Sequence, residues 1–182
     1  MSSLNRYCQA LKQSMELLAN DPRTIFLGQT VCYPGSRFTY KTLVDIPVEK
    51  RLEVPIMEEA QLGMAIGLSL AGYVPVAIYP RLDFLILAAN QFANHLDRFE
   101  EMSRGTYTPK VIVRATIGTT KPYPGPQHCV DYTEALRLMV KNIDIVRLDS
   151  TATIVPAYEH AIAGLRSTLL IDVGDLHYAP DQ

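Results

Sequence analysis

Apolar side chains recur every three or four positions near the start of the chain, and this spacing predicts an amphipathic helix over residues 4–19. Ser2 or Ser3 is the expected N-cap, because a hydroxyl accepts a hydrogen bond from an unpaired amide of the first turn. Asn20-Asp21-Pro22 follows the last apolar position, and proline cannot continue a helix. The chain is therefore expected to open with one helix of about four turns.

Strand and helix patterns alternate after this point. The expected strands cover residues 24–28, 74–79, 110–116, 143–148 and 168–173, and the expected helices cover residues 58–71, 83–102, 132–140 and 151–165. Residues 33–54 contain proline and glycine without a clear period and are expected to form a long loop. The alternation predicts an α/β fold, a three-layer sandwich with a mainly parallel central sheet and helices on both faces. Ligand sites in such sheets lie at the carboxyl ends of the strands.

Composition narrows the class of protein. With 182 residues, of which 48% are hydrophobic, the chain is long enough for one buried core, and residues 1–182 are expected to form a single domain. The formal net charge is −2 and no run of Lys or Arg occurs, so nucleic acid and anionic membrane surfaces are not expected partners. No segment has the roughly 20 apolar residues of a membrane span, and the first helix carries polar residues where a signal peptide is apolar. These features indicate a cytoplasmic protein.

The cysteines and histidines do not form a recognisable metal or disulfide pattern. The three cysteines lie far apart without a Cys-x-x-Cys spacing, and the four histidines are equally dispersed. No metal ligands are therefore assigned to this chain, and a metal is expected only together with a cofactor. His95, His160 and His177 are interpreted as surface or helix-packing residues.

The most informative segment runs from Pro55 to Gly67, where two acids begin a helix of small and apolar residues. The helix dipole alone favours an acid in this position by about 0.3–1 kcal/mol, so Glu58 and Glu59 have a purely structural explanation. The glycines that follow allow another backbone to approach closely, which suits a buried acid facing a ligand. On these residues alone both explanations stay open.

A family resemblance separates the two acids. Residues 54–73, with the strand that follows and Asp83-Phe84, resemble the pyrimidine-binding domain of the transketolase superfamily. Within it they are most similar to the beta subunit of the first component of 2-oxo acid dehydrogenases, of the pyruvate dehydrogenase type. There a Pro-Ile-x-Glu motif opens a Gly- and Ala-rich helix, and Glu58 falls on the acid of that motif whereas Glu59 does not.

Further matches follow in the order of the family and extend the resemblance over residues 4–178. They are the first strand with its terminal Gly28, the polar Gln91 and Asn94 of the long helix, a strand that carries Arg114, and the Gln127-His128 pair of a Pro- and Gly-rich loop. The Pro-Ile-x-Glu motif alone is a weak signal for this family. Five matching features in the family's order, the motif included, are a much stronger one.

The resemblance implies a thiamine-diphosphate enzyme and gives the matched residues roles. Glu58 would hydrogen-bond a ring nitrogen of the cofactor's aminopyrimidine and favour its imino tautomer, and it is therefore both catalytic and cofactor-binding. Phe84 would stack on the aminopyrimidine, and His128 would be the second catalytic residue, exchanging a proton near neutral pH. Gly28 and Asn94 are expected to contribute to the cofactor site.

Each of these residues also has a plainer interpretation. Phe84 could pack in the core, His128 could be an exposed loop residue, and Asn94 could be buried and hydrogen-bonded structurally. Arg114 could pair with an acid across the sheet.

The chain departs from the family pattern in places that concern substrate and assembly. Gln29-Thr30 stands where the family tends to have an acid, and Cys129-Val130 follows His128 in place of a polar pair. The family's C-terminal assembly domain is absent from these 182 residues. A Gly-Asp-Gly motif with a downstream Asn, which would hold the diphosphate and its Mg²⁺ through hard oxygen ligands, is absent as well. The resemblance thus implies a partner subunit that carries the diphosphate-binding domain, in a homodimer or heterotetramer.

The expected function is the pyrimidine-binding half of an enzyme that decarboxylates a 2-oxo acid and transfers the acyl or two-carbon unit. A lipoyl carrier as acceptor would indicate a dehydrogenase, and a sugar acceptor would indicate a split transketolase-like or decarboxylase-like carboligase. Two other hypotheses are a non-catalytic assembly module of the same fold and an unrelated doubly wound binder of a small ligand.

Overall fold

The computed structural model describes residues 4–33 and 39–180. The strands are β1 (Thr24–Gly28), β2 (Arg51–Glu53), β3 (Val74–Tyr79), β4 (Ile112–Ile117), β5 (Asp144–Leu148) and β6 (Thr168–Val173). The α-helices are α1 (Arg6–Ala19), α2 (Thr39–Leu43), α3 (Glu58–Leu70), α4 (Leu82–Leu85), α5 (Phe99–Met102), α6 (Thr133–Met139) and α7 (Thr151–Ala163).

The six strands form one sheet in the order β2-β1-β3-β4-β6-β5, and every neighbouring pair is parallel. Parallel pairing requires crossover connections, which the helices and loops between the strands provide. The chain leaves β1 toward one edge of the sheet to form β2 and then returns on the other side of β1 to form β3. The carboxyl ends of β1 and β3 therefore flank a topological switch point, where open α/β sheets bind ligands.

Two hydrophobic clusters cover the two faces of the sheet. On one face α1 and α7 pack through side chains such as Leu11, Met15 and Tyr158. On the other face α3, α6 and the segment between β3 and β4 pack through side chains such as Leu62, Phe92 and Leu136. This arrangement confirms the predicted three-layer α/β sandwich, with a sheet that is entirely parallel.

The predicted long loop over residues 33–54 is wrong in part. It contains α2 and the edge strand β2, whose three residues pair with Phe26, Leu27 and Gly28 of β1. A strand of three residues with two charged side chains has no apolar period, so only its pairing with β1 defines it.

Two details of the predicted helices also differ. The N-cap of α1 is Asn5, whose side chain accepts from the amide of Cys8, whereas Ser2 and Ser3 lie outside the described residues. The helix predicted over residues 83–102 is interrupted by a 3₁₀ turn, Ile86–Ala88, and by a π-helical segment, Gln91–Leu96. At its end the buried carboxylate of Asp97 accepts hydrogen bonds from the amides of Lys141 and Asn142, at 2.8 and 2.6 Å. The irregular segment thus brings Asp97 to the amides that precede β5.

No helix among the described residues combines the length and the apolar character needed to cross a bilayer.

Candidate functional site

The site is built on the switch point between β1 and β3. Gly28 ends β1, and a Cβ atom at this position would lie 2.4 Å from the carbonyl oxygen of Ile78. Only glycine allows this approach without moving the backbone. The carbonyl of Gly28 accepts a hydrogen bond from the amide of Val54 at 3.0 Å, which directs the chain toward the start of α3.

Glu58 is the first residue of α3 and is 7% exposed. Its backbone carbonyl accepts a hydrogen bond of 2.9 Å from the hydroxyl of Tyr79, the last residue of β3. Its carboxylate has no hydrogen bond or ion pair with any described residue. Glu59 is exposed and interacts with the side chain of Gln91 at 3.3 Å. The structure thus separates a buried acid from an exposed one, as the resemblance led us to expect.

Burial raises the pKa of the Tyr79 phenol, and the nearby Glu58 carboxylate raises it further. The phenol therefore stays protonated and donates to Glu58 across the pH range in which the protein is expected to work.

Gln61 lies one turn after Glu58 and is 1% exposed. Its side-chain amide donates to the carbonyl of Ile78 at 2.9 Å and, more weakly, to that of Leu27 at 3.5 Å. One side chain thereby connects α3 to both strands that flank the switch point. We did not identify Gln61 from the sequence, although a helical period that starts at Glu58 places it on the buried face.

Phe84 and His128, far apart in the sequence, meet beside this edge of the sheet. Their ring centroids are 5.5 Å apart at an interplanar angle of 77°, an edge-to-face contact. Both side chains are half-buried. The Nδ1 atom of His128 is buried and has no hydrogen-bond partner among the described residues.

Two contacts hold the loop that carries His128. Gly118 follows β4, and a Cβ atom there would lie 1.7 Å from the carbonyl oxygen of His128, so the loop crosses directly over the strand end. Farther along, the amide of Val130 donates to the carboxylate of Asp83 at 3.3 Å. The loop is thus fixed to the end of β4 and to the start of α4.

Asn94 is placed differently from the other predicted site residues. It is exposed on the π-helical segment, and its amide donates to the side chain of Asn90 at 3.0 Å. The alternative of a buried Asn94 is therefore wrong as to burial, although the hydrogen bond to Asn90 is a local structural one. The role of Asn94 at the cofactor stays a prediction.

Arg114 belongs to a buried ion network. Its guanidinium lies 3.3 Å from the carboxylate of Asp172 on the adjacent strand β6 and donates to the hydroxyl of Thr42 at 2.7 Å. The predicted pairing of Arg114 with an acid across the sheet is confirmed. His177 completes the network, with its Nε2 3.0 Å from Asp172. Of the two interpretations given for His177, surface residue or helix-packing residue, the first is wrong and the second is confirmed. The 3₁₀ turn after β6 buries the ring, which is 8% exposed and lies 5.6 Å from the ring of Tyr7 in α1.

The charges of this network compensate one another. Burial alone would raise the pKa of Asp172, but the Arg114 charge and the hydrogen bond from His177 hold it well below its usual range. Both Tyr7 and Cys8 of α1 lie beside these residues, which places the network on the α1 face, opposite α3. Its position indicates a structural role.

No protein-family model matches the chain. It is 30% identical over 148 residues to the chloroplastic "Pyruvate dehydrogenase E1 component subunit beta-3" of Arabidopsis thaliana, an alignment that covers 80% of this chain and 35% of that protein. It is 26% identical over 150 residues to the "Pyruvate dehydrogenase E1 component subunit beta" of Cyanidium caldarium, in an alignment that covers 80% of this chain and 44% of that protein. It is 27% identical over 158 residues to the "3-methyl-2-oxobutanoate dehydrogenase subunit beta" of Mycobacterium tuberculosis H37Rv, in an alignment that covers 85% of this chain and 45% of that protein.

The chain is a homologue of the 2-oxo acid dehydrogenase beta subunits. It spans less than half the length of these relatives. Among solved structures its fold is similar to that of a "Split gene transketolase, inactive beta4 tetramer", with a TM-score of 0.67 and 18% identity over 93% of this chain and 50% of that one. The fold is thus transketolase-like.

The switch point of this beta-subunit homologue has groups that suit an aminopyrimidine ring. Glu58 is 7% exposed and its carboxylate has no partner among the described residues, and Gly28 keeps the strand end free of a side chain. Phe84 is half-buried in α4, the helix that follows β3. A carboxyl group and an aromatic face are what a flat, hydrogen-bonding heterocycle needs. The roles of these residues stay predictions.

Among the described residues, side chains that could hold the metal of such a cofactor do not occur together. The part of the chain that the structure describes contains no group of three or more His, Cys, Asp or Glu side chains arranged to bind a metal ion.

Proposed function

We propose that the chain is the pyrimidine-binding half of a thiamine-diphosphate-dependent enzyme that decarboxylates a 2-oxo acid and transfers the acyl or two-carbon unit to an acceptor. The observation that carries the proposal is Glu58, a residue that is only 7% exposed and whose carboxylate has no partner among the described residues, at the switch point of the sheet. Three relatives named as 2-oxo acid dehydrogenase beta subunits support the reaction class.

The residues of this chain would bind and orient the cofactor. Glu58 would hydrogen-bond the aminopyrimidine, with its position held by Tyr79, and the Phe84 ring would stack on the heterocycle. His128, in contact with Phe84, would exchange a proton with the substrate through a ring nitrogen. When bound, thiamine diphosphate serves as the electron sink for decarboxylation.

A partner subunit would complete the site. The sequence has no Gly-Asp-Gly motif, and no described cluster of side chains could bind Mg²⁺, so the metal and the diphosphate would be held by another chain. The solved structure of similar fold is described as a beta-only tetramer that is inactive. We propose a heterotetramer in which this chain alone has no turnover.

The first test is binding. Calorimetric titration of thiamine diphosphate with Mg²⁺ is expected to give binding only when a subunit carrying Gly-Asp-Gly and the downstream Asn is present. Absence of binding with that subunit present would support a non-catalytic assembly module instead.

The second test is catalysis by the assembled complex. The Glu58→Gln substitution is expected to lower turnover of the 2-oxo acid at least a hundredfold, a magnitude typical of a lost acid-base group. Glu59→Gln is the matched control, since its side chain is exposed, and turnover should stay near that of the wild type. Near-normal turnover of the Glu58→Gln complex would refute the proposal. A complex that used a sugar acceptor in preference to a lipoyl carrier would be a carboligase.

A further inference from the structure

The 3₁₀ turn after β6 contacts the loop over residues 118–130, which carries His128. Gly174 begins this turn and lies beside the end of β4. A Cβ atom at Gly174 would lie 2.5 Å from the carbonyl oxygen of Ile117 and 3.2 Å from the amide nitrogen of Thr119. Only glycine allows two backbone segments to approach this closely. The turn therefore packs directly against the first residues of the His128 loop.

Asp175, the next residue of the turn, makes two hydrogen bonds to the His128 loop. Its carboxylate accepts from the backbone amide of Thr120 at 2.7 Å and from the hydroxyl of the same residue at 2.9 Å. Hydrogen bonds to an ionised acceptor are stronger than those between neutral groups, and two of them to one residue fix its orientation as well as its distance. The loop is thus attached at its start to the end of β6, in addition to its contacts with β4 and α4.

The turn that presents Asp175 is itself held in place. The Nε2 atom of His177 lies 3.0 Å from the buried carboxylate of Asp172 in β6. The side-chain amide of Asn5, at the start of α1, donates to the carbonyl of Leu176 at 2.9 Å. The Asp175 carboxylate is therefore presented by a backbone that is fixed to the sheet and to α1, as is required of a group that orients another one.

The position of His128 depends on how its loop is attached. Residues 120–127 contain three prolines and are exposed apart from the half-buried Gly125, so little apolar packing holds this segment. At its far end the His128 ring meets the Phe84 ring, with the centroids 5.5 Å apart. The hydrogen bonds at the start of the loop therefore determine much of where the His128 ring lies.

We infer that Asp175 is a positioning residue, which holds Thr120 and thereby keeps the His128 ring against Phe84 and within reach of the substrate. The inference rests on the proposed function for the role of His128 in proton exchange, whereas the effect of Asp175 on the position of the ring depends on this chain alone. Asp175 affects turnover without touching substrate or cofactor, because a displacement of about 1 Å in a reacting group can lower a rate about a hundredfold.

The position of the ring is measured by NMR on the isolated 182-residue chain, through nuclear Overhauser effects between the ring protons of Phe84 and His128. Asp175→Ala removes both acceptors, and we expect these Overhauser effects to be lost. Asp175→Asn should keep them, because its amide oxygen accepts from the Thr120 amide and its NH₂ group donates to the Thr120 hydroxyl. Glu159→Ala, which removes an exposed carboxylate of α7, is the control and should match the wild type.

Turnover is measured in the assembled complex. Asp175→Ala is expected to lower kcat about tenfold and to leave KM for the 2-oxo acid within about threefold, because the residue orients a reacting group and does not bind the substrate. Asp175→Asn should have a kcat near that of the wild type, which a role of the negative charge would not allow. Thr120→Val loses the hydroxyl bond and keeps the amide bond, so its Overhauser effects and kcat should fall less than those of Asp175→Ala.

Two outcomes would overturn the inference. One is that folded Asp175→Ala keeps either the Overhauser effects or the kcat of the wild type; if that variant does not fold, unchanged values in Thr120→Val, at an exposed position, have the same meaning. The other is that Asp175→Asn behaves like Asp175→Ala, which would assign the effect to the charge. If the Overhauser effects respond as expected but the wild-type complex has no turnover, the proposed function fails while the positioning of His128 by Asp175 stands.

Discussion

The hydroxyl of Tyr79 connects the end of β3 to the first residue of α3 through a hydrogen bond of 2.9 Å to the Glu58 carbonyl. Both residues are buried, so neither group has access to bulk water as an alternative partner. The contact positions the backbone of Glu58, and it leaves the carboxylate available to a ligand.

Removing this hydroxyl should loosen the start of α3. Tyr79→Phe removes one of two donors to the buried Glu58 carbonyl, which keeps its helical hydrogen bond from the Leu62 amide, and we expect the free energy of unfolding to fall by about 0.5–1.5 kcal/mol. Urea denaturation measures the change. Tyr73→Phe is the matched control, because Tyr73 is 42% exposed, and its stability should stay within about 0.5 kcal/mol of the wild type. An equal effect of both substitutions would contradict a specific role of the Tyr79 hydrogen bond.

At the scale of the elements, α3 is attached to both strands of the switch point. Its buried face is attached to the sheet by Gln61, which spans both strands at the switch point, while Gly63 and Gly67 have nothing within 4 Å of an added Cβ. Gly28, at the end of β1, is therefore sterically required, whereas Gly63 and Gly67 within the helix are not.

This contrast gives opposite expectations for two substitutions to alanine. Gly28→Ala places a methyl group 2.4 Å from the Ile78 carbonyl oxygen, and we expect a loss of stability of about 1–3 kcal/mol from overpacking. Gly67→Ala adds a methyl group in open space within a helix, and we expect a gain of about 0.4–1 kcal/mol. Thermal and urea unfolding of the isolated chain measure both. A neutral Gly28→Ala would show that the strand ends are not closely packed.

At the scale of the whole molecule, the candidate site and the buried ion network lie on opposite faces of the sheet. One carries α3, Phe84 and the cluster beneath them, and its edge forms the candidate site. The other carries α1, α7 and the buried network of Arg114, Asp172 and His177, which joins β4, β6 and the 3₁₀ turn that follows β6. The network connects distant parts of the chain on the face away from the site.

The network predicts a pH dependence of stability. Folding lowers the pKa of Asp172. The Asp172 carboxylate therefore contributes fully to the free energy of unfolding at pH values above its unfolded pKa, near 4, and this contribution is lost as the pH falls through its folded pKa. The free energy of unfolding should therefore decrease progressively below about pH 4. Urea titrations between about pH 2 and 7 measure this slope.

The Asp172→Asn substitution should make the free energy of unfolding less dependent on pH in the acid range. It should also lower stability at neutral pH by about 3–5 kcal/mol, since it leaves the buried Arg114 charge without its counterion. Asp45→Asn, at an exposed ion pair, is the control and should change stability by at most about 1 kcal/mol. An unchanged acid slope in the Asp172→Asn protein would assign the pH dependence to other carboxylates.

Local patterns in the sequence determined much of the fold. The apolar runs of β1, β3 and β6 have the predicted bounds, and the alternation of strands and helices leads to the parallel three-layer sandwich. The Pro-Ile-x-Glu motif likewise singled out Glu58 from Glu59. These features depend on neighbours in the chain, which is why periodicity and short motifs reveal them.

Contacts between distant segments were decided by the tertiary structure alone. The pairing of β2 with β1, the contact of Phe84 with His128 and the burial of His177 against Asp172 each join segments that no local pattern relates. The same holds for the donor role of Gln61, since burial and hydrogen bonding depend on what the fold places around a side chain. The sequence identified the acid and its strand ends, and packing determined which groups surround them.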